Sequence, residues 1–363
     1  MKIVNIISRL SPYGGAQSVC LTHIEYQLRE NFEVIFISAN NNENFTKSNF
    51  NKVLKINLNF LINFKLIDWI KDVYFLYKFF KKEKPEFIIT HSTVAGIIGR
   101  LFGFFLSIKT IHTFHGFNTA RKPFFGFLFI NIQRLFKFIT FKAIYVCEHD
   151  YKFAKNKNFL VKNSCVIYNT IGLDTEIKKD FNHDLENDKT NFIMVARHSE
   201  QKDHKNLLDA IKLLDDKNYR VDLVGGGELF KQNLKYAEDL NILDKVNFIG
   251  EISNVSDLLP HYDCGVLISN MEGLPVSIIE YMKSELLVIS SDVGGCNELV
   301  KDNLNGFLLK ENNPKEIALA LQKVVQKKCN VEAMKKQSKF LFDQLFSKEI
   351  FFSNLDKKQV YKP

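Results

Sequence analysis

Short apolar runs, each followed by a longer stretch with helical spacing, recur along almost the whole 363-residue chain. Lys2–Ser8, Phe32–Ser38, Phe87–His91, Ile108–Thr113 and Ala143–Cys147 are strand candidates. The pattern restarts with Asn191–Arg197, Tyr219–Gly225, Val246–Gly250, Cys264–Ser269 and Leu286–Ser290. Helical spacing shows in Cys20, Ile24 and Leu28 and again over Asn206–Leu214. Strands alternating with helices demand parallel pairing with crossover helices, the doubly wound α/β class. One polar, weakly periodic stretch, Gly172–Thr190, breaks the rhythm. The expectation is therefore two Rossmann-like domains, 1–172 and 191–337, facing a central cleft, with 173–190 as the linker. The Phe-rich segment 338–363 is expected to be helical and to pack back on the first domain.

Charge divides the same way. Residues 1–175 hold 23 Lys/Arg against 11 Asp/Glu, and the remainder 26 against 30. A basic half joined to a mildly acidic half points to different partners. The six cysteines are scattered without a C-x-x-C pair, which argues against a disulfide framework or a zinc knuckle and for a reducing cytoplasm. The first residues run from Met into a strand and a glycine-containing loop, without the apolar core of a signal peptide. The longest apolar run, Val94–Leu106, contains Arg100 and falls short of the roughly 20 residues a membrane crossing needs.

Two stretches carry the sharpest chemistry. Asn270–Glu280 (NMEGLPVSIIE) follows a predicted strand, and Pro275 stands where a helix can begin. Such a strand–loop–helix aims free amides and the positive helix end at an anion. Glu272 precedes that helix and Glu280 lies within it; carboxylates accept strong hydrogen bonds from sugar hydroxyls. Arg197 and Lys202 follow the strand Phe192–Ala196 and suit a diphosphate. An acidic helix start and a solvated loop pair are the plain readings of the same residues.

Other features are weaker. Gly14-Gly15 and Gly225–Gly227 lack the spacing of a dinucleotide fingerprint or a phosphate loop, and a tight turn is the default. His112 and His115 end a strand without a third metal ligand nearby, and His115 is open to either a cleft or a core position. Residues 60–142 hold 18 of the 34 Phe, with 13 Lys/Arg against 4 Asp/Glu. Rings interleaved with cations on amphipathic helices suit an anionic membrane surface. An AT-rich genome, visible in heavy use of Asn, Lys, Ile and Phe, offers a second source for that bias. No nucleic-acid-binding module is visible.

Taken together these motifs resemble the retaining glycosyltransferases called family 4, which have the GT-B fold. Glu272 and Glu280, with Gly273-Leu274-Pro275 between them, match the E-x7-E motif, and Arg197 and Lys202 its basic pair. Gly294, Gly295 and Glu298 match its Gly-Gly-x-x-Glu element, and Asn305-Gly306 the turn that follows. In the first domain Gly14-Gly15 match the glycine loop and His115 the His-Gly histidine. Glu285 and Leu287 stand where members usually carry Gly and Pro, and Asn169-Thr170 where Asn-Gly is common.

The resemblance implies a hexose or N-acetylhexosamine moved, with retained configuration, from a nucleotide-diphosphate sugar, UDP being the expected base. His115, Arg197, Lys202 and Glu272 would be catalytic, and Gly15, Gly273, Leu274, Pro275 and Glu280 would bind the donor. No metal or other cofactor is expected. The first domain would take the acceptor, a lipid-linked saccharide of bacterial surface polysaccharide, oligosaccharide or lipopolysaccharide synthesis, at the inner face of the plasma membrane. A nucleotide-sugar epimerase of the same fold, a non-catalytic binding subunit and a glycoside hydrolase using Glu272 and Glu280 are the rival readings.

Overall fold

The structure is a computed structural model that describes residues 1–9, 15–39, 54–58, 66–117, 123–171, 188–252 and 255–362. The chain divides into two compact units, Met1–Leu173 with Lys348–Pro363, and Asp174–Ser347. Gly14, Arg121, Lys122 and all but the end of the predicted linker lie outside the described residues.

The first unit runs β1 (Lys2–Arg9), α1 (Gly15–Arg29), β2 (Glu33–Ala39), β3 (Leu54–Asn57), α2 (Leu66–Glu83), β4 (Phe87–His91) and α3 (Thr93–Leu106). It continues through β5 (Lys109–Phe114), α4 (Pro123–Phe136), β6 (Lys142–Tyr145), α5 (Glu148–Asn156) and β7 (Ser164–Val166). The strands form one parallel sheet ordered β3-β2-β1-β4-β5-β6-β7. Its central strands are apolar on both faces; Ile3, Val4, Ile6, Ile88 and Ile89 have no exposure. That continuous burial is what helices on both sides of a parallel sheet require.

In the second unit β8 (Thr190–Val195), α6 (His204–Leu213), β9 (Tyr219–Val224), α7 (Phe230–Asp239) and β10 (Val246–Gly250) come first. Then follow β11 (Cys264–Leu267), α8 (Val276–Lys283), β12 (Leu287–Ser291), α9 (Cys296–Leu299), β13 (Gly306–Leu309), α10 (Pro314–Val325) and α11 (Val331–Leu345). The parallel order is β10-β9-β8-β11-β12-β13, so the winding reverses between β8 and β11. Open sheets of this kind bind ligands beyond the carboxyl ends of the strands flanking that reversal.

Several boundaries differ from expectation. The linker ends before Thr190, which already pairs with Tyr219 in the sheet. The segment 338–363 is not one helix: α11 ends at Leu345 in the second unit, and α12 (Lys348–Lys357) belongs to the first. There Phe351, Phe352, Leu355 and Tyr361 join Ile3, Tyr26 and Ile89 in one buried cluster. The short strands β3 (Leu54–Asn57), β7 (Ser164–Val166) and β13 (Gly306–Leu309) are absent from the strand candidates of the sequence.

Candidate active site

The site of the second unit is built where β8 and β11 part. Their register holds only two pairs, Phe192 with Cys264 and Ile193 with Gly265. Beyond them the buried Tyr281 of α8 takes over the seam. Its hydroxyl accepts the Val195 amide at 2.6 Å and donates to the Val266 carbonyl at 3.3 Å. The Tyr281 ring occupies the space that a Cβ on Gly265 would need. A helix tyrosine thus anchors α8 over the reversal point.

Past β8 the chain is steered by the loop after β9. Gly225 and Gly227 have φ of +140° and +136°, and any Cβ there would overlap the Ala196 and His198 carbonyls. The His198 amide donates to the Gly226 carbonyl at 2.7 Å, and the Leu229 amide to the His198 carbonyl at 3.0 Å. Arg197, between these fixed points, is exposed and has no hydrogen bond or ion pair among the described residues. The backbone presents it as a free cation.

Lys202 is placed differently. It ends a 3-10 turn, Glu200–Lys202, fastened to the loop after β11 by three hydrogen bonds. The Asn270 amide donates to the Gln201 carbonyl at 2.8 Å, and Gln201 Nε2 to the Met271 carbonyl at 2.8 Å. Asn270 Nδ2 donates to the Glu200 carbonyl at 2.9 Å. This clasp brings Lys202 Nζ to 2.5 Å from Glu272 Oε1, with Glu272 only 8% exposed.

The Glu272–Gly273 loop is held from its other side as well. Gly294 has φ +59°, and a Cβ there would overlap the Glu272 carbonyl. The Gly295 amide donates to the Gly273 carbonyl at 2.7 Å. Leu274 and Pro275 are buried, and Pro275 is the N-cap of α8 with no side-chain cap bond. The first amides of α8 therefore need acceptors from elsewhere, and an anion supplies them well. Glu280 lies half-buried inside α8, where burial pushes its carboxyl up to about 7 against the opposing pull of Lys283. At neutral pH such a group both accepts and donates hydrogen bonds to hydroxyls.

Lys202 and Glu272 are thus in contact, on a platform shared with Gly273, Leu274, Pro275 and α8. His115 and Gly15 belong to the first unit. Gly15 opens α1, exposed, and His115 is half-buried beyond the carboxyl end of β5. His115 Nε2 lies 3.0 Å from His91 Nδ1. Burial lowers the His115 imidazole to about 4, so the ring is neutral at physiological pH. Gln201, Asn270, Tyr281 and His91 carry no functional signal in the sequence, because their partners are main-chain atoms or residues distant in sequence. The Gly225–Gly227 turn, discounted there, proves to be the support of Arg197. Among the described residues no group of three His, Cys, Asp or Glu side chains is placed to hold a metal ion.

The chain matches the family Glycosyltransferase Family 4 over residues 13–175 and Glycosyl transferases group 1 over residues 175–340. An Escherichia coli UDP-Gal:alpha-D-GlcNAc-diphosphoundecaprenol alpha-1,3-galactosyltransferase is 29% identical over 294 residues, 73% of each chain. The O-antigen biosynthesis glycosyltransferase WbnH of Escherichia coli is 26% identical over 358 residues, 96% of this chain and 98% of that one. Among solved structures, sucrose-phosphate synthase from Thermosynechococcus elongatus superposes with a TM-score of 0.85 at 17% identity, covering 99% of both chains. With two parallel α/β units, a basic pair after β8 and the Glu272–Glu280 loop-helix after β11, the chain is a GT-B enzyme that belongs to the group 1, family 4 glycosyltransferases.

Proposed function

We propose that this glycosyltransferase moves a hexose or N-acetylhexosamine from a UDP-sugar to a lipid-linked saccharide in bacterial surface polysaccharide, oligosaccharide or lipopolysaccharide synthesis, with retained anomeric configuration. The observation that carries the reading is the Lys202–Glu272 contact at the uncapped start of α8, with exposed Arg197 on the same loop after β8. Breaking the bond between sugar C1 and the diphosphate oxygen leaves negative charge on the phosphates. Arg197, Lys202 and the α8 amides gather that charge, which stabilises the transition state more than the ground state. These cations supply what a divalent metal supplies in other transferases, so the reaction needs none; a rate unchanged by EDTA is the expected result.

Glu272 holds sugar hydroxyls, Glu280 the ribose and His115 the sugar side. The acceptor oxygen bonds to C1 on the face the diphosphate leaves, and its proton passes to a phosphate oxygen. The 29%-identical relative, a UDP-galactose enzyme with a diphosphoundecaprenol-linked acceptor, supports both the base and the acceptor class.

The first unit supports a membrane-surface role. Among the described residues no helix is long and apolar enough to cross a bilayer. Yet α2 to α4 expose Trp69, Tyr74, Phe105 at 74%, Phe127 at 72% and, just beyond, Phe138 at 79%. Lys78, Lys81 and Lys137 lie against rings of that set or its neighbours. Rings that insert and cations that meet head groups fit an anionic bilayer.

Thermal stabilisation by UDP-, GDP-, ADP- and CMP-sugars tests the donor. At a hundred times its dissociation constant the right ligand adds about 2.7 kcal/mol. The expected result is a shift with UDP-sugar that Arg197→Ala abolishes. Anomeric NMR of product formed on a diphosphoundecaprenol-linked saccharide then reads the stereochemistry. Conversion of donor without acceptor would favour an epimerase instead. Flotation with vesicles containing phosphatidylglycerol tests the membrane role, and failure to float at low salt would defeat it.

A further inference from the structure

Behind His115 the first unit buries two more histidines. His91 ends β4, aligned with Thr113 of β5, and has no exposure. Its Nδ1 lies 3.0 Å from His115 Nε2, with ring centroids 5.3 Å apart. The ring of His23 from α1 stands 5.4 Å from that of His91, edge-on. His23 is itself held by Tyr361, whose hydroxyl lies 2.6 Å from His23 Nδ1. His91 Nε2 and His115 Nδ1 are both buried without a partner among the described residues.

Proton counting makes this arrangement informative. Burial and the neighbouring rings lower His91 well below the ordinary histidine range, and burial alone lowers His115, so both are neutral at pH 7. Two neutral rings carry one N–H each, and one of these must fill the contact between them. If His115 supplies it, the proton of His91 sits on Nε2, which is buried and has no partner among the described residues. If His91 supplies it, the proton of His115 sits on Nδ1, in a half-buried residue beyond the strand end. Either way one buried N–H lacks an acceptor among the described residues, which is costly unless a ligand provides one.

We propose that His91 is the positioning residue of His115: its Nδ1–H donates to His115 Nε2, fixing the ring and placing the proton of His115 on Nδ1 for an acceptor oxygen of the bound sugar. This rests on the reading that His115 faces the sugar. The fully buried His91 gives the shared proton, and the half-buried His115 keeps its own on Nδ1, an atom shielded and without a partner among the described residues until a ligand oxygen reaches it. Tyr361 and His23, one from the C-terminal segment and one from α1, keep His91 from turning away.

Long-range proton–nitrogen NMR on protein labelled with nitrogen-15 histidine reads the tautomers directly and needs no donor or acceptor. His115 is expected as the Nδ1–H form, shifting to Nε2–H in His91→Phe. An Nε2–H form in the wild type, or no change in the variant, overturns the proposal. In the transfer reaction His91→Phe should lower kcat by about tenfold or more, with KM for the donor within about threefold. His91→Asn, whose amide N–H replaces the Nδ1 donor, should recover most of that loss, and it carries the test should His91→Phe not fold. Wild-type kcat in folded His91→Phe overturns the positioning role. Wild-type kcat in His115→Ala as well would show that the placement of His115 beside the sugar had failed, a separate result from the tautomer.

Discussion

Lys202 Nζ meets Glu272 Oε1 at 2.5 Å although 70 residues separate them, and both side chains are largely shielded from water. A shielded ion pair of this kind resists removal of one partner far more than removal of both, since a lone buried charge is left behind. The contact also sets the resting state of the site. In the proposed reaction a diphosphate drawing on Lys202 would have to share it with Glu272.

Lys202→Ala is expected to destabilise the second unit by about 2–4 kcal/mol, and Lys202→Ala with Glu272→Gln by less. Denaturant unfolding of the single and double variants should give a coupling of about 1–3 kcal/mol. Glu272→Ala should keep the fold and lose activity by orders of magnitude. Additive stabilities would show that the contact carries no coupling, and wild-type turnover in folded Glu272→Ala would remove Glu272 from the chemistry.

Gly294 and Gly250 separate two costs of a side chain. Both have positive φ, +59° and +82°, but a Cβ on Gly294 would overlap the Glu272 carbonyl while one on Gly250 meets open space. Gly250→Ala is therefore expected to cost about 1–2 kcal/mol of backbone strain. Gly294→Ala should cost more and also weaken nucleotide-sugar stabilisation, because the Glu272–Gly273 loop must move. Equal melting temperatures for the two variants would contradict this.

Glu285 occupies a left-handed backbone conformation, φ +59°, directly after α8. The Leu286 amide donates to the Tyr281 carbonyl at 3.0 Å, and the Glu285 amide to that of Met282 at 3.2 Å, the Schellman pattern that glycine usually completes. The family resemblance leads one to expect glycine near this point, and this fold keeps the geometry with a glutamate. Glu285→Gly should stabilise by about 1 kcal/mol, raising Tm by a few degrees, without altering kcat. A lower Tm would mean that the side chain contributes more than the strain costs.

Acid should destabilise the protein between about pH 6.5 and 4. Burial lowers His23 to about 3 and His115 and His198 to about 4, and takes His91, His112 and His204 well below the ordinary value. His198 and His204 are stacked 3.9 Å apart, where two positive rings would repel. Each such group is protonated more readily when unfolded, so its stabilising contribution is complete above pH 6.5 and lost as pH falls toward its folded pKa. Glu280, raised to about 7, works the other way from pH 7 to its ordinary 4.5, one group against six. Tm at pH 5 is expected several degrees below that at pH 7.5; a flat profile would contradict the burial of these rings.

The sequence by itself determined the class of fold, because strands covered on both faces must be apolar throughout and crossover helices must be amphipathic; both patterns are local. It also marked Arg197, Lys202, Glu272 and His115, which follow strand ends, and Glu280, which stands eight positions after Glu272 in the helix that begins there. What it did not disclose depends on distance along the chain. Gln201 and Asn270 look like ordinary polar loop residues until their amides and carbonyls meet across 70 positions. Tyr281 looks like a core aromatic, yet its hydroxyl closes the gap where β8 and β11 separate. Gly225 and Gly227 look like a flexible turn, and only the carbonyls packed against them reveal why a side chain is excluded. Tertiary structure alone decided that Lys202 touches Glu272 and that His91 backs His115, because hydrogen bonds between residues brought together by the sheet leave no periodicity in the sequence.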